Sequence, residues 1–490
     1  MRRIFSNPVT ALAAGLCLRL FFVLKLPADS GDSELYEQLA ANWLRHGCYG
    51  LELNGALQPV NVRMPGYPAY LAMVYWLTGR TGAAARLAVM LGQIALDLLG
   101  CLVIAQLAKV LAEVAGVREP TALRKVWLAA LWLAALCPFT ANYSAVPLTE
   151  VFAVLLTALG CCLLVASVRL VKEPSFRMPK THARLSRGVE FTALGAGFVV
   201  GAGTLFRPEA PLLLAAGFAV IAWQLATRGI WKRIASTGAA MALGLLGPLI
   251  PWGVRNQITL NQTQLLAPKN SNLPGELIPY GFMAWEKTWL YRMKDSYLSA
   301  WKLDEESIDA DTLPARAFDT PEEKQRVAMI LHSYNDDLTL TKEEDNAFAS
   351  LARERTARYP LRTYIGLPAL RAATMWFSPR IELLPVSGNV FPLVQSWLED
   401  RIDQCVTVGV FLLNVTYVGL GVWGGVKLWR SSRTARPAVI FMALFAVVRT
   451  VFLTTVETPE PRYVLECFPA LIALGALALG RRREVQPANA

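Results

Sequence analysis

The loop that follows the first apolar segment carries residues well suited to chemistry. Its carboxylates are Asp29, Asp32, Glu34 and Glu37. Arg63 follows, two residues before a Pro-Gly-Tyr-Pro turn at 65–68. A carboxylate can accept a proton from a reacting hydroxyl, and an arginine binds anionic oxygens through two parallel hydrogen bonds. A segment that only spans lipid has little use for such residues, so this loop is predicted to handle something polar.

The composition indicates where these residues lie. Of the 490 residues, 54% are hydrophobic and 17% are charged, and the mean hydropathy is +0.37. This is too apolar for a soluble protein of that size. A span needs roughly 20 mostly apolar residues, so the sequence predicts an all-α polytopic membrane protein with about ten transmembrane helices, in a range of about eight to thirteen. The apolar stretches lie near 8–26, 86–112, 126–141, 148–169, 191–206, 208–227, 234–254, 402–428, 437–455 and 463–480.

Basic residues set the predicted orientation, because short cytoplasmic loops concentrate Lys and Arg. If ten helices alternate, the basic clusters all fall on one side, and both termini are cytoplasmic. These clusters lie at 2–3, 118–125, 169–187, 228–233, 427–436 and 481–483. The net charge of +11 then reflects topology and contact with the anionic lipid of the bilayer. No basic patch is interleaved with aromatic residues, so no nucleic-acid partner is expected.

The same alternation divides the chain into three parts. An N-terminal transmembrane module covers 1–254 and has its first outer loop at 27–85; a mostly helical domain on the non-cytoplasmic face covers 255–401, and C-terminal transmembrane helices cover 402–490. An apolar stripe in the first loop predicts an interfacial helix. In the outer domain, Thr320 and Thr341 each precede a glutamate by three residues, which is the capping-box pattern and predicts two helices.

Polar residues at the ends of the predicted spans gather on the non-cytoplasmic face. They are Asp29, Asp32, Glu150, Arg207, Glu209, Arg255, Glu457, Glu460, Arg462 and Tyr463. An ionisable group at the centre of a membrane helix costs at least ~2.5 kcal/mol, so charged residues within or beside spans are functional candidates by default. Arg19, inside the first span, is another such candidate, or pairs with a carboxylate or a headgroup.

The order of these motifs resembles the glycosyltransferase C superfamily, in particular a bacterial branch similar to protein mannosyltransferases and to the lipid A aminoarabinose transferase. The matching residues are Gly31-Asp32 with Tyr36, Arg63 with the 65–68 turn, Thr149-Glu150, Arg207-Pro208-Glu209 and Glu460-Pro461-Arg462-Tyr463. The resemblance covers most of the chain except residues 256–401.

The resemblance implies an integral-membrane inverting glycosyltransferase that transfers a hexosyl or pentosyl group. The expected donor is a polyprenyl-phosphate sugar, and the acceptor is a hydroxyl of a glycan, lipid or protein. The expected location is the cytoplasmic (inner) membrane, with the active site on its outer, periplasmic face. A lipid-linked oligosaccharide polymerase or ligase and a lipid-linked sugar transporter or flippase are the alternatives.

The resemblance also implies roles for single residues. Asp32 is expected to be the general base, with Asp29 as the alternative, and Glu150 orients the acceptor or helps to hold a metal. The expected substrate-binding residues are Arg63, Tyr67, Arg207, Glu209, Arg255, Arg371, Glu460, Arg462 and Tyr463, with the arginines facing the departing phosphate. No strict Asp-x-Asp occurs in the loop, although Asp32 and Glu34 have that spacing, so no cofactor is firmly expected and Mg²⁺ or Mn²⁺ stays open.

Each of these residues also has a purely structural interpretation. Asp32 can be the N-cap of the interfacial helix, and Arg63 can anchor a turn at the headgroups. Glu150 can interact with a helix dipole alone, and Arg207 with Glu209 can form a tight connection between two spans. The sequence leaves these alternatives open.

Overall fold

The chain is built almost entirely from helices. The computed structural model describes residues 6–172, 188–268, 270, 273 and 276–479. Two compact units are present: the first comprises Met1–Lys269, Pro379–Ala446 and Leu465–Ala490, and the second comprises Asn270–Ser378 and Val447–Val464.

Helices α1 to α10 occur in the first part of the chain. They are α1 (Pro8–Lys25), α2 (Gly31–His46), α3 (Gly66–Thr78), α4 (Arg86–Val114), α5 (Pro120–Ala135), α6 (Pro138–Ala141), α7 (Glu150–Lys172), α8 (Gly188–Thr204), α9 (Pro211–Ala226) and α10 (Trp231–Leu260). Between α2 and α3, strands β1 (Gly50–Leu53) and β2 (Ala56–Pro59) pair antiparallel, with Leu51 opposite Gln58. Short 3₁₀ helices cover Gly82–Ala85 and Asn142–Ala145.

Nine helices follow in the remainder of the described chain. They are α11 (Tyr280–Glu286), α12 (Met293–Ser296), α13 (Pro321–Asp337), α14 (Lys342–Arg358), α15 (Leu367–Phe377), α16 (Leu393–Glu399), α17 (Arg401–Ser431), α18 (Arg436–Leu453) and α19 (Phe468–Leu479). Further 3₁₀ helices cover Ala315–Ala317 and Pro461–Cys467, and a π-helical turn covers Arg362–Gly366.

The predicted fold class is confirmed: this is an all-α polytopic membrane protein. Within the described residues, seven helices are long and apolar enough to cross a membrane, and an eighth span results if α5 and the bent segment Pro138–Ala145 count as one. The spans predicted near 191–206 and 208–227 correspond to α8 and α9, which have 17 and 16 residues. A 17-residue helix is only about 25 Å long, so these two lie at the short end of what spans a bilayer.

Helices α8 and α10 approach each other through glycines. A Cβ atom added to Gly197 would lie 2.3 Å from the backbone oxygen of Met241, and one added to Gly244 would lie 2.2 Å from that of Leu194. Small residues allow membrane helices to pack backbone to backbone. This contact fixes α8, whose last residue precedes the connection that carries Arg207.

The second unit has its own core, and two helices of that unit start as the sequence predicts. The core is aromatic and includes Phe282, Trp285, Trp289, Tyr334 and Phe348. Thr320 accepts a hydrogen bond from the backbone N–H of Glu323, and Thr341 accepts one from that of Glu344. Only at Thr341 does the glutamate side chain return the bond and complete the capping box. The side chain of Glu323 instead accepts a hydrogen bond from Arg355.

Candidate functional site

Asp32 lies in the first turn of α2, where Arg63 reaches it from the turn that leads into α3. The Nη2 of Arg63 donates to Oδ1 of Asp32 over 2.7 Å, and the two side chains are 22% and 29% exposed. The N-cap of α2 is Ser30, so the interpretation of Asp32 as an N-cap is wrong. Burial acts to lower the pKa of Arg63, but Asp32 and Tyr36 outweigh it, and the pKa is raised. Arg63 therefore keeps its charge.

Asp29 faces a different cation. The Nη1 of Arg86, at the start of α4, donates to Oδ2 of Asp29 over 2.6 Å. The same guanidinium holds Glu37 through two hydrogen bonds of 2.7 and 3.2 Å. These ion pairs attach α2 to α4. The two aspartates thus have separate arginine partners, and the choice of Asp32 over Asp29 as the base stays a prediction.

Arg207 connects two further predicted acids. Its Nη2 donates to Oε1 of Glu150 over 2.5 Å, and its Nη1 lies 3.7 Å from Oε1 of Glu209. Glu150 begins α7 and is only 3% exposed. The rings of Phe152 and Phe206 stack with their centroids 4.5 Å apart. This stacking holds the first turn of α7 against the connection between α8 and α9.

A backbone hydrogen bond links the turn of Arg63 to the connection of Arg207. The N–H of Gly66 donates to the carbonyl oxygen of Leu205 over 2.8 Å. A Cβ atom at position 66 would lie 2.6 Å from that oxygen, so the close approach requires glycine. The two arginine-bearing segments are therefore neighbours in the first unit.

Tyr36 lies where these charges meet. Burial is the main reason why the pKa of Tyr36 is raised to about 12, and the Asp32 carboxylate raises it further. Arg63 and Arg207 act in the opposite direction, and Glu150 raises it slightly. Four charged side chains thus act on one hydroxyl group. We call Asp32, Tyr36, Arg63, Glu150 and Arg207 the Tyr36 site.

Tyr67 packs against the ring of Tyr36, but its hydroxyl does not contact the charged groups of the site. Its hydroxyl donates to Oε1 of Gln93 over 2.6 Å, and its ring meets that of Tyr36 edge-on with centroids 5.1 Å apart. The Nε2 of Gln93 in turn donates to the carbonyl of Val146. Tyr67 is fully buried. Its predicted role in substrate binding stays a prediction.

Arg255 holds backbone in this structure. It donates to the carbonyl oxygens of Tyr49 and Val60 over 2.6 and 2.8 Å. Its guanidinium also lies over the rings of Tyr49 and Trp252. Arg255 therefore fixes the base of the β1–β2 hairpin, and its role at a phosphate stays a prediction.

The remaining predicted residues lie in the second unit. There the Nε of Arg462 lies 2.7 Å from Oε2 of Glu460, and the hydroxyl of Tyr463 donates to Oε1 of Glu460 over 2.5 Å. Arg371 is 2% exposed, and burial lowers its pKa to about 10 against the attraction of nearby Glu457. Its guanidinium donates to the backbone carbonyls of Lys287, Leu290 and Thr454.

No metal site emerges in the part of the chain that the structure describes. Within those residues, no three His, Cys, Asp or Glu side chains are grouped so as to hold a metal ion. In the Tyr36 site, Asp32 and Glu150 each face an arginine. This donor set does not fit a divalent cation held by protein ligands alone.

Sequence reasoning gave Tyr36 no site role of its own, and it predicted neither the hairpin nor the ion pairs of Arg86. The i, i+4 spacing of Asp32 and Tyr36 places both on one face of α2, and this signal identifies Tyr36 as a site residue. The signal for the hairpin is Asn54-Gly55, because an Asn-Gly pair is the strongest short-range indication of a hairpin. Arg86 had no such local signal, because its partners Asp29 and Glu37 precede it by 57 and 49 residues.

No family model matches the sequence, and no curated protein is similar to it in sequence. Solved structures resemble it in fold. AglB, an oligosaccharyltransferase from Archaeoglobus fulgidus in complex with an inhibitory peptide and a dolichol-phosphate, is 12% identical with a TM-score of 0.48, and the match covers 96% of this chain and 50% of that one. ArnT from Cupriavidus metallidurans, apo and bound to undecaprenyl phosphate, is 14% identical with TM-scores of 0.37 and 0.35, and the matches cover 96% of this chain and 77% of that one.

This chain spans about half the length of the oligosaccharyltransferase. At these identities the likeness concerns the fold alone, and at TM-scores below 0.5 it carries no argument about the function of this chain.

Proposed function

We propose that this protein is an inverting glycosyltransferase of the membrane, with a polyprenyl-phosphate sugar as its donor. The single observation that supports this best is the Tyr36 site, where one acid–arginine pair, Asp32 with Arg63, lies beside a second, Glu150 with Arg207. A carboxylate next to fixed cations provides a proton acceptor and a counter-charge for an anionic leaving group within one small region.

In the proposed reaction, Asp32 accepts the proton of an acceptor hydroxyl. The hydroxyl oxygen attacks the anomeric carbon from the side opposite the phosphate, and the bond between that carbon and the phosphate oxygen breaks. The electron pair leaves with the polyprenyl phosphate, whose developing charge is stabilised by Arg63 and Arg207. One base and no covalent intermediate give inversion at the anomeric carbon.

Glu150 has a positioning role in this proposal. Its buried carboxylate holds one end of the Arg207 guanidinium, which orients the other nitrogen atoms. The acceptor is a hydroxyl of a glycan, lipid or protein. We place the reaction at the outer face of the cytoplasmic membrane, because the positive-inside pattern puts the loop of Asp32 on that side.

The test is sugar transfer by the purified, full-length protein in nanodiscs, with a polyprenyl-phosphate sugar as the donor and cell-envelope glycans and lipids as acceptors. Asp32→Asn is nearly isosteric; it removes the base together with the negative charge that pairs with Arg63. Loss of transfer in a variant that melts like the wild type supports the proposal, whereas full activity in this variant would overturn it. Proteoliposomes that move the lipid-linked sugar without chemical change would favour a flippase instead.

A further inference from the structure

The hydroxyl of Tyr36 differs from those of the tyrosines around it. Three neighbouring hydroxyls donate to fixed acceptors: Tyr67 to Gln93 Oε1, Tyr70 to the Val89 carbonyl and Tyr49 to the Arg63 carbonyl. In the described chain, the hydroxyl of Tyr36 has no hydrogen-bond partner, although its side chain is only 8% exposed. Unlike its neighbours, this hydroxyl is therefore available as a donor to a ligand.

This hydroxyl is also not sealed inside the protein. The buried side-chain atoms that lack a partner and are closed to solvent include the hydroxyl of Tyr75, but not that of Tyr36. The hydroxyl of Tyr36 therefore opens onto space that a ligand atom can enter. Its ring is held rigidly by the edge-on contact with Tyr67 at 5.1 Å, so the hydroxyl keeps a fixed direction.

The surroundings of this hydroxyl indicate which ligand atom it meets. Arg63 is bonded to Asp32, one helical turn before Tyr36 on α2. The hydrogen bond from Gly66 to Leu205 keeps the segment of Arg207 next to that of Arg63, and both guanidinium charges act on the hydroxyl. The high pKa of Tyr36, caused mainly by burial, keeps its hydroxyl protonated, so that it donates rather than accepts a proton at neutral pH. Two guanidinium groups and one hydroxyl donor together suit the oxygen atoms of a phosphate.

We propose that the hydroxyl of Tyr36 is a hydrogen-bond donor to the phosphate of the lipid-linked substrate, between Arg63 and Arg207. The assignment rests on the proposed function and identifies Tyr36 as the residue whose hydroxyl donates a hydrogen bond to a phosphate oxygen. An arginine can exchange its carboxylate partner for the phosphate, whereas the Tyr36 hydroxyl has no other partner to give up. Tyr36 thus makes the site respond to a phosphate even before the arginines rearrange.

The experiment measures lipid binding by full-length protein in nanodiscs of uncharged phosphatidylcholine. The probes are undecaprenyl phosphate, its alcohol undecaprenol and inorganic phosphate. Tyr36→Phe removes one oxygen atom and keeps the ring contact with Tyr67. We expect this variant to bind undecaprenyl phosphate about tenfold more weakly or worse, since a hydrogen bond to a charged group is lost, while its binding of undecaprenol is unchanged.

The matched control is Tyr75→Phe, which removes another buried tyrosine hydroxyl, one that lies near Glu37, Gly82 and Arg86. It should bind all three probes like the wild type. A Tyr36→Phe variant that keeps wild-type affinity for undecaprenyl phosphate, or that weakens phosphate and alcohol equally, would overturn the assignment. Displacement of undecaprenyl phosphate by inorganic phosphate at equal concentration would overturn the claim that the phosphate bound at Tyr36 belongs to a lipid-linked substrate.

A second replacement guards against a variant that merely misfolds. A ring-fluorinated tyrosine at position 36 is a stronger donor of nearly the same size, and it should bind undecaprenyl phosphate at least as tightly as the wild type; weaker binding would count against the assignment. Failure of this inference is distinct from failure of the proposed function. If Asp32→Asn loses transfer while Tyr36→Phe binds normally, only the role of Tyr36 is lost.

Discussion

The Tyr36 site of the first unit and a cluster in the second unit are both built from arginines and carboxylates, but their hydrogen bonds differ. We call Asp319, Glu323, Arg355, Arg358 and Arg362 the Arg355 cluster. Arg355 is completely buried and donates to Thr288 and to two backbone carbonyls, as well as to Glu323. The Tyr36 site, in contrast, is partly exposed and includes a hydroxyl without a partner in the described chain.

This difference in hydrogen bonding indicates a structural role for the Arg355 cluster and a functional role for the Tyr36 site. A buried charge that is fully satisfied by its own protein stabilises the fold, and removing it leaves an uncompensated partner. A donor that its own protein leaves unused and open to solvent adds little to the fold but is available to a ligand. The Arg355 cluster is therefore expected to govern stability, and the Tyr36 site is expected to govern activity.

The largest effect is expected at Asp32. Asp32→Asn should lower kcat for sugar transfer by about 10²–10⁴, because the amide cannot accept the proton, and thermal melting should change little. Asp29→Asn is the matched control, since Asp29 is held by Arg86, and it should keep most of the activity. A larger loss of activity at Asp29 than at Asp32 would reverse the assignment.

The second effect is on stability. Arg355→Leu should lower the free energy of unfolding by about 3 kcal/mol, because it removes the buried partner of Glu323 and leaves that carboxylate only a 3.4 Å contact with Arg358. Arg326→Leu breaks an exposed pair with Glu354 (45% and 42% exposed) and should cost at most about 1 kcal/mol. Denaturation of both variants in nanodiscs measures the difference. Equal losses would show that burial does not distinguish the two pairs.

The third effect depends on pH. Burial raises the pKa of Glu286 from 4.5 to about 8, with Glu457 adding to it, while the Ser299 hydroxyl and Arg371 oppose the rise. The folded protein then holds a proton that the unfolded chain releases, so the free energy of unfolding falls as the pH rises from about 4.5 to 8, and the stability from this group is largest at low pH.

Glu286→Gln should remove this dependence, which amounts to about 2–3 kcal/mol between pH 6 and 8. The matched control is Glu306→Gln, at a side chain that is 68% exposed and should leave the slope unchanged. Melting temperatures at the two pH values provide the measurement. An unaltered slope in Glu286→Gln would mean that Glu286 does not carry the proton.

The smallest effect is expected at the helix caps of the second unit. Thr341→Ala breaks a complete capping box at the start of α14 and should cost about 1 kcal/mol. Thr320→Ala breaks a cap in which the glutamate is engaged by Arg355 and should cost somewhat less. Thermal melting compares the two. A larger loss at Thr320 would indicate that its cap also orders the Arg355 cluster.

Much of the fold could be predicted because it follows from local composition. Apolar runs of about 20 residues identify spans wherever a helix is straight and long. The number of membrane spans does not follow from hydropathy where α8 and α9 are short, or where α5 bends by 52° into Pro138–Ala145. Such bends and short helices are decided by packing against neighbouring helices, which hydropathy does not report.

The sequence could predict which residues belong to the site, but not which of them form ion pairs or hydrogen bonds with each other. The sequence identified Asp32, Arg63, Glu150 and Arg207 as candidates, and the structure brings these four together around Tyr36. It could not give the partners of Asp32 and Asp29, because Arg63 and Arg86 are brought to them from elsewhere in the chain. Arg255 shows the same limit, since its backbone acceptors lie about 200 residues earlier.

The hydrogen bond between Gly66 and Leu205 has a consequence for the biosynthesis of this protein. The turn of Arg63 leaves the ribosome early, but its neighbour is made only after α4, α5, α7 and α8. Until then the Arg63 turn lacks this contact, so the ligand-binding geometry is acquired late. Nascent chains that stop before α8 should therefore insert their first helices yet expose a loop that proteases cleave, and protection should appear only once the segment around Leu205 has been inserted.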